Sequence, residues 1–335
     1  MSSIRDVAKH AGVGVATVSR ALNGSGYVAP ETMQRIMDSV RELNYVPNEL
    51  ARNLFHQQTR IVALLVPTIQ HPFFSSLAHH IESELTQRGY KLMLCNTSDN
   101  AQLEQECVQM LERNMVDGII SASPNEDTYP YILTNRPLVA FDRSLGENIP
   151  IVRCDHAEGG RLAAQAIIDH GCKCVLHCGS VSGTPIEDTL PCKEKDFVFE
   201  QTIKAAGIRH ISMPHIRPET IDERILSEQL RLHPEIDGFF APDNNALCFL
   251  HLALKNRLRV PEDVAIVSYD GTILTELGPK KITCIVQPLD LIAQKAVELL
   301  MQRIEGGVSV CHTHTLPVHL RQGETTSSAA LPMRG

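Results

Sequence analysis

The chain has 335 residues, of which 43% are hydrophobic and 4% aromatic, and its formal net charge at pH 7 is −8. That length requires more than one domain, and an aliphatic-rich, aromatic-poor composition suits α/β material. No apolar run approaches the roughly 18 residues of a membrane span, and the N-terminus lacks the apolar core of an export signal, so a membrane role is excluded and a cytoplasmic place is expected.

The charge is unevenly spread. Residues 1–60 carry seven Lys/Arg against five Asp/Glu, a net of +2, which leaves −10 for the remainder. A basic head on an acidic body suits nucleic-acid binding confined to one end.

In chain order, Ile4 to Asn23 reads as two short helices joined by a tight turn. The first carries Val7, Ala8 and Ala11 on one side, and Gly12 follows where a Cβ would crowd the reversal. The second, from about Val15 to Leu22, turns Val18, Ala21 and Leu22 inward. This is the pattern of a helix-turn-helix, whose second helix enters the DNA major groove. Val15 and Ala16 open that helix and can touch thymine methyls. Arg20 can bond two acceptors on a guanine edge, Thr17 and Ser19 can hold phosphates, and Asn23 closes the same face. A third helix follows Val28-Ala29-Pro30, with Ile36, Val40 and Leu43 at helical spacing. Asn48 to Phe55 can form a short helix capped by Asn48, with Leu50 and Leu54 stacked four apart. Eight residues are too few to hold a helix alone in water, so this one orders on DNA or on a copy of itself.

The head motifs DVAKHAGVGVATVSRALNG, VAPETMQRI and LNYVPNELARNL resemble those that open members of the LacI/GalR (lactose-repressor/galactose-repressor) family of bacterial transcription regulators. The resemblance runs through nearly the whole chain, more loosely after residue 60. It implies that residues 47–58 are a hinge, with Asn48 and Ala51 at the DNA and Leu54 wedged into the minor groove.

From Arg60 onward apolar strands alternate with amphipathic helices. IVALLVP, YKLMLCNT, VDGIISAS, PLVAFDR, IVRCDH, KCVLHCG, DGFFAP, VAIVSYDG and ITCIVQP read as strands. The helices between them include FFSSLAHHIESELTQRG, AQLEQECVQMLERN, AEGGRLAAQAIIDHG, DNNALCFLHLALKNR and LDLIAQKAVELLMQRIEGG. Such alternation means parallel sheets covered on both faces, and the units are too many for one sheet. The expected fold is therefore an all-α helix-turn-helix head joined to an α/β body of two doubly wound parallel-sheet subdomains. The resemblance implies that this body is periplasmic-binding-protein-like. The expected limits are 1–46 for the head, 47–58 for the hinge, 59–325 for the body and 326–335 for a tail. Within the body, one subdomain takes about 59–155 and 289–312, the other about 156–287 and 313–325.

Ligands of doubly wound folds lie beyond the carboxyl ends of the strands. Carried over by motif, the resemblance places His71, Phe73 and Phe74 (PTIQHPFF), Asp142 (AFDR), Cys154, Asp243, Asp270 (SYDG) and Gln287 (IVQP) at an effector cleft. Asp270 would grip sugar hydroxyls, and Phe73 or Phe74 would stack on a pyranose face unless they are ordinary core. Three departures stand out. Lys193 occupies the place of a ligand-clamping arginine and cannot make the same two-pronged bond. Pro242-Asp243 replaces Asn-Asp, and Gly14 replaces a serine that would cap the recognition helix.

The ten cysteines contain no CxxC pair and sit mostly in apolar runs, as small buried thiols of a reducing compartment do. A strand through Cys172, Cys174 and Cys178 would put all three on one face. His312 and His314, alternating along a strand, read as a solvated face. No phosphate loop, nucleophile elbow or metal set is apparent, so no catalytic residue, cofactor or metal is expected. The tail has no heptads. The expectation is a homodimeric repressor of a carbohydrate operon that binds operator DNA and responds to a sugar or sugar derivative, with no membrane partner. A sugar-binding transport protein is the alternative, disfavoured by the helix-turn-helix.

Overall fold

The computed structural model describes residues 2–46, 58–98, 100–123, 131, 136–179, 191–214, 223–307 and 312–326. The chain divides into two compact units, Met1–Thr59 and Arg60–Gly335. Residues 47–57 of the expected hinge, with Asn48, Ala51 and Leu54, lie outside the described residues, as do Cys311 and the side chain of Cys192.

Among the described residues the first unit has three helices: α1 (Ile4–Ala11), α2 (Val15–Asn23) and α3 (Pro30–Glu42). Ser3 caps α1 through a reciprocal bond with Asp6, and Gly12 ends it in the left-handed region at φ 66°. Gly14 stands at the N-cap of α2 with no side-chain bond, as the missing serine predicts, and Gly24 ends that helix at φ 62°. Pro30 opens α3, where its missing N–H costs nothing. The core is Val7, Ala8, Ala11, Val18, Ala21 and Ile36, with Leu22, Val40 and Leu43 packed around it. A polar residue joins this interior: buried Ser39 donates to the Arg35 carbonyl at 2.8 Å and meets His10 Nδ1 at 3.0 Å.

Among the described residues the second unit holds two six-stranded sheets. The first comprises β1 (Ile61–Val66), β2 (Lys91–Asn96), β3 (Gly118–Ser121), β4 (Leu138–Phe141), β5 (Ile151–Cys154) and β11 (Thr313–Leu316), in the order β11-β5-β4-β3-β1-β2 and parallel throughout. The second comprises β6 (Cys174–Gly179), β7 (Arg209–Pro214), β8 (Gly238–Pro242), β9 (Ala265–Asp270), β10 (Thr283–Val286) and β12 (His319–Arg321), in the order β12-β10-β9-β8-β6-β7. Only β12 runs antiparallel there. Helices α4 (Pro72–Gln87), α5 (Ala101–Glu112) and α11 (Leu289–Ile304) cover the first sheet; α6 (His156–His170), α7 (Pro191–Ala205), α8 (Glu223–Leu232), α9 (Asp243–Lys255) and α10 (Leu274–Leu277) belong with the second. Central strands such as β1, with Val62 to Val66 all buried, are apolar without alternation because helices close both faces.

Four expectations need correction. The helices α7, α8 and α10 and the strands β7 and β12 are absent from the expected elements, although Leu226 and Leu230, four apart in ERILSEQLRL and packed on one core cluster, were an available signal for α8. The boundary at 313 is misplaced, because β11 pairs with β5 in the first sheet and the passage to the second comes only at Pro317-Val318. Cys174 and Cys178 do share a face with Leu176, but Cys172 lies in the turn before β6 and donates to the Asp237 carbonyl at 3.3 Å, within the other core cluster. His312 is exposed as expected, whereas His314 is half-buried and burial lowers its pKa.

The chain passes between the lobes three times, at Asp155, at Gln287-Pro288 and at Pro317-Val318. One further approach is tight. A Cβ on Gly160 would lie 2.2 Å from the Lys195 carbonyl oxygen, and one on Gly159 would lie 2.8 Å from the Tyr269 ring. This glycine pair in α6 is what lets α7 and β9 come so near.

Candidate functional site

On the first unit, α2 presents Val15, which is 42% exposed, with Ala16, Arg20 and Asn23 also exposed and Thr17 and Ser19 half-exposed. The buried Val18 and Ala21 fix the helix on the core with the other side turned outward. Asn23 Nδ2 donates to Ser19 Oγ at 3.3 Å. The stem of Arg20 lies against Gly26, so close that a Cβ there would be 2.9 Å from Arg20 Cδ. All six sequence-predicted residues of this helix therefore lie on its solvent-facing side.

On the second unit, the strand ends of the two lobes meet. Asp270 ends β9 with φ at 115°, a backbone that L side chains rarely adopt. Its Oδ1 accepts from Gln287 Nε2 at 2.9 Å, and His71 Nε2 stands 3.8 Å from Oδ2. His71 is the N-cap of α4, where Nδ1 accepts from the Phe73 amide and leaves Nε2 to face Asp270. Burial pushes the Asp270 carboxyl well above the usual carboxylate range; the positive charge of Lys195 and the Gln287 bond oppose that rise. Gln287 Oε1 and both amide atoms of Asn244 are buried with no hydrogen-bond partner among the described residues.

A second bridge runs through His156, the first residue of α6. Its Nε2 lies 2.9 Å from Asp142 Oδ1 in the first lobe, and its Nδ1 lies 2.8 Å from the Tyr269 hydroxyl in the second. A carboxylate only accepts, so in the neutral ring Nε2 donates to Asp142 and Nδ1 accepts from Tyr269. Asp142 also sits in the left-handed region, at φ 65°, and accepts from the Cys154 amide at 3.4 Å. Lys195 is buried with Nζ 3.2 Å from Asp196 Oδ1 and 5.2 Å from the Tyr269 ring centroid. From Asp196 the polar chain continues inward: His177 Nε2 at 3.1 Å, then His177 Nδ1 to His210 Nε2 at 3.3 Å.

The structure thus brings His71, Asp142, Asp270 and Gln287 together, as the sequence reading expected. Phe74 is half-buried with its ring edge-on to His71, at a centroid distance of 5.8 Å. Phe73 is 5% exposed and packs on Phe141, so it serves the core rather than a ligand face. Two other residues assigned to the cleft are enclosed in this conformation. Cys154 and Asp243 each have 0% exposure, so neither side chain is open to a ligand in this conformation. Asp243 instead holds the turn after β9, accepting from Thr272 Oγ1 at 2.7 Å and from its amide. Lys193 is half-buried, and the cation whose charge bears on Asp270 is Lys195, two residues further along α7. His156, Tyr269 and Lys195 are the residues missed. A histidine directly after the strand IVRCD, at the passage between lobes, was the available signal for the first.

The description "Bacterial regulatory proteins, lacI family" matches residues 3–48, and "Periplasmic binding proteins and sugar binding domain of LacI family" matches residues 59–324. The chain belongs to the LacI family. As a member it is a DNA-binding transcriptional regulator, not an enzyme. The ribose operon repressor of Halalkalibacterium halodurans is 35% identical over 331 residues, spanning 97% of this chain and 97% of the relative. The sucrose operon repressor of Streptococcus mutans is also 35% identical, over 328 residues, spanning 97% of this chain and 99% of the relative. Among solved structures, a periplasmic binding protein/LacI transcriptional regulator from Alkaliphilus metalliredigens complexed with D-xylulofuranose is 28% identical, with a TM-score of 0.70 over 80% of this chain and 100% of that one. The lac repressor dimer bound to operator has the same LacI-family fold, with a TM-score of 0.83 over 98% of this chain and 99% of that one at 24% identity. Among the described residues no helix is long and apolar enough to cross a membrane, and no three His, Cys, Asp or Glu side chains gather as a metal set.

Proposed function

We infer that this regulator is a homodimeric, cytoplasmic repressor of a sugar-utilisation operon, and that a sugar or sugar derivative bound between the lobes controls its hold on operator DNA. The observation that carries this reading is the grouping of His71, Asp270 and Gln287 across the two strand-end faces. Buried polar groups are costly without partners, and a polyhydroxylated ligand supplies O–H donors to Asp270 and Gln287 Oε1. Relatives named for ribose and sucrose operons support a sugar as the class. His71 and His156 each touch both lobes, so a ligand that rearranges them changes how the lobes meet, which is what a two-state regulator needs. In the head, Val15, Ala16, Thr17, Ser19, Arg20 and Asn23 read the operator, and Asn48, Ala51 and Leu54 continue that contact as the hinge.

The experiment is a thermal-shift screen of the full chain against neutral sugars, sugar phosphates and purine bases, followed by calorimetry on the strongest hit. The operator fragment is then titrated with and without that hit. A sugar that raises the melting temperature and changes operator affinity supports the reading. A response confined to purine bases would replace the ligand class, and a hit that leaves operator affinity unchanged would refute effector control.

A further inference from the structure

We propose that Cys95 and Cys107 form an oxidisable dithiol that closes to an intrachain disulfide, stapling α5 to the edge strand β2. Most of the described thiols are inert by position: Cys154, Cys172, Cys174, Cys178 and Cys284 are buried. Cys95 and Cys107 are only half-buried, and both pack against the same core cluster, where each bears on the other's ionisation.

The fold explains why they meet. Cys95 lies on β2, the last strand of the first sheet, opposite Leu65 of β1. Strand alternation turns Cys95 and Met93 to the side that α5 covers, and both pack on the same core cluster as Cys107 and Met110. Cys107 sits one turn after Glu104 on the same face of α5. Glu104 is 1% exposed and is anchored by Ser123 Oγ at 2.6 Å, by Arg143 Nη2 at 3.3 Å and by the Tyr131 hydroxyl. That network fixes the turn of α5 that precedes Cys107.

The two sulfurs differ in character. Cys95 lowers the pKa of Cys107 and Cys107 raises that of Cys95, while burial, Glu104 and Glu106 pull Cys107 the other way. Cys107 is therefore the nucleophile and Cys95 the resolving thiol. With hydrogen peroxide as oxidant, the Cys107 thiolate attacks one peroxide oxygen and the O–O bond breaks, giving Cys107–SOH and hydroxide. The Cys95 sulfur then attacks that sulfenic acid; the S–O bond breaks, the S–S bond forms and water leaves with the thiol proton. Two thiols are oxidised by two electrons and one peroxide is reduced. A dithiol reductant reverses the exchange.

The test treats the full-length protein with hydrogen peroxide, blocks remaining thiols with an alkylating agent, and maps the peptides by mass. The wild type is expected to lose about 2 Da, with residues 95 and 107 joined, and to recover them with dithiothreitol. C95S is expected to stop at a sulfenic acid on residue 107, trapped by dimedone, and C107S to show neither product. Circular dichroism confirms that each variant is folded, and the wild-type map stands without them. Linkage of other cysteines, a crosslink between two chains, overoxidation of Cys107 without a disulfide, or a pair that stays reduced while other thiols react would each overturn the proposal.

Discussion

Asp270→Asn separates the chemistry of the cleft from its folding. The side chain keeps its shape, and its oxygen can still accept from Gln287 Nε2, 2.9 Å away in the wild type. What disappears is a carboxylate oxygen facing His71 and open to ligand O–H donors. Hydrogen bonds to charged groups contribute about 1.5–3 kcal/mol, so effector affinity should fall by roughly one to two orders of magnitude. Folding should respond in the opposite sense. Burial raises the Asp270 pKa, so its stabilising contribution is fully present below the unfolded-state value of about 3.9 and is lost as pH rises through the raised folded value. Neighbouring Asp243 is raised too, by burial first and by the Asp270 charge second. The wild type should therefore lose stability on going from acid to neutral pH more steeply than the asparagine variant. The assays are calorimetric titration with the sugar identified by screening, and melting temperature against pH for both proteins. Equal effector affinities, or a variant less stable than wild type at every pH, would refute the reasoning.

Gly160→Ala should force α7 away from α6, since the new methyl meets the Lys195 carbonyl; overpacking of this kind costs about 1–3 kcal/mol, to be read from urea denaturation, with effector affinity falling alongside. His156→Phe removes both bonds that join Asp142 to Tyr269, and operator titrations should show the effector response blunted while affinity without effector stays within a few-fold. Arg20→Ala should weaken specific operator binding by about 1–3 kcal/mol and relax sequence preference, measurable by anisotropy on matched and scrambled duplexes. Ser3→Ala deletes the cap of α1 and should cost about 1 kcal/mol, seen as lower protection of head amides in hydrogen exchange.

The head was legible almost residue by residue, because helix period, capping and turn glycines are local signals. Val7, Ala8, Ala11, Val18 and Ala21 are buried as their spacing implied. The sheets were legible as apolar runs but not in their membership: nothing local in THTL says that it returns to the first sheet, since that depends on a partner strand some 160 residues earlier. The cleft was legible where a motif names a strand end, as for Asp142, Asp270 and Gln287. Lys195 escaped because its role depends on Gly160 letting one helix lie against another, a contact between segments with no shared pattern. Burial escaped for a related reason. Asp243 and Cys154 sit at strand ends like their neighbours, and only the packed fold shows them closed off.

The three short passages between the lobes also bear on how the body comes apart. A single connecting segment would let two lobes melt as separate bodies, each with its own transition. Here neither sheet can be completed until the chain has crossed to the other and returned, because β11 reaches the first sheet from after α11 and β12 then closes the second. Each lobe is therefore assembled from pieces that are distant along the chain. A protease cut in any one passage would leave two covalent ties, so the nicked body should stay associated under native conditions and part only when denatured.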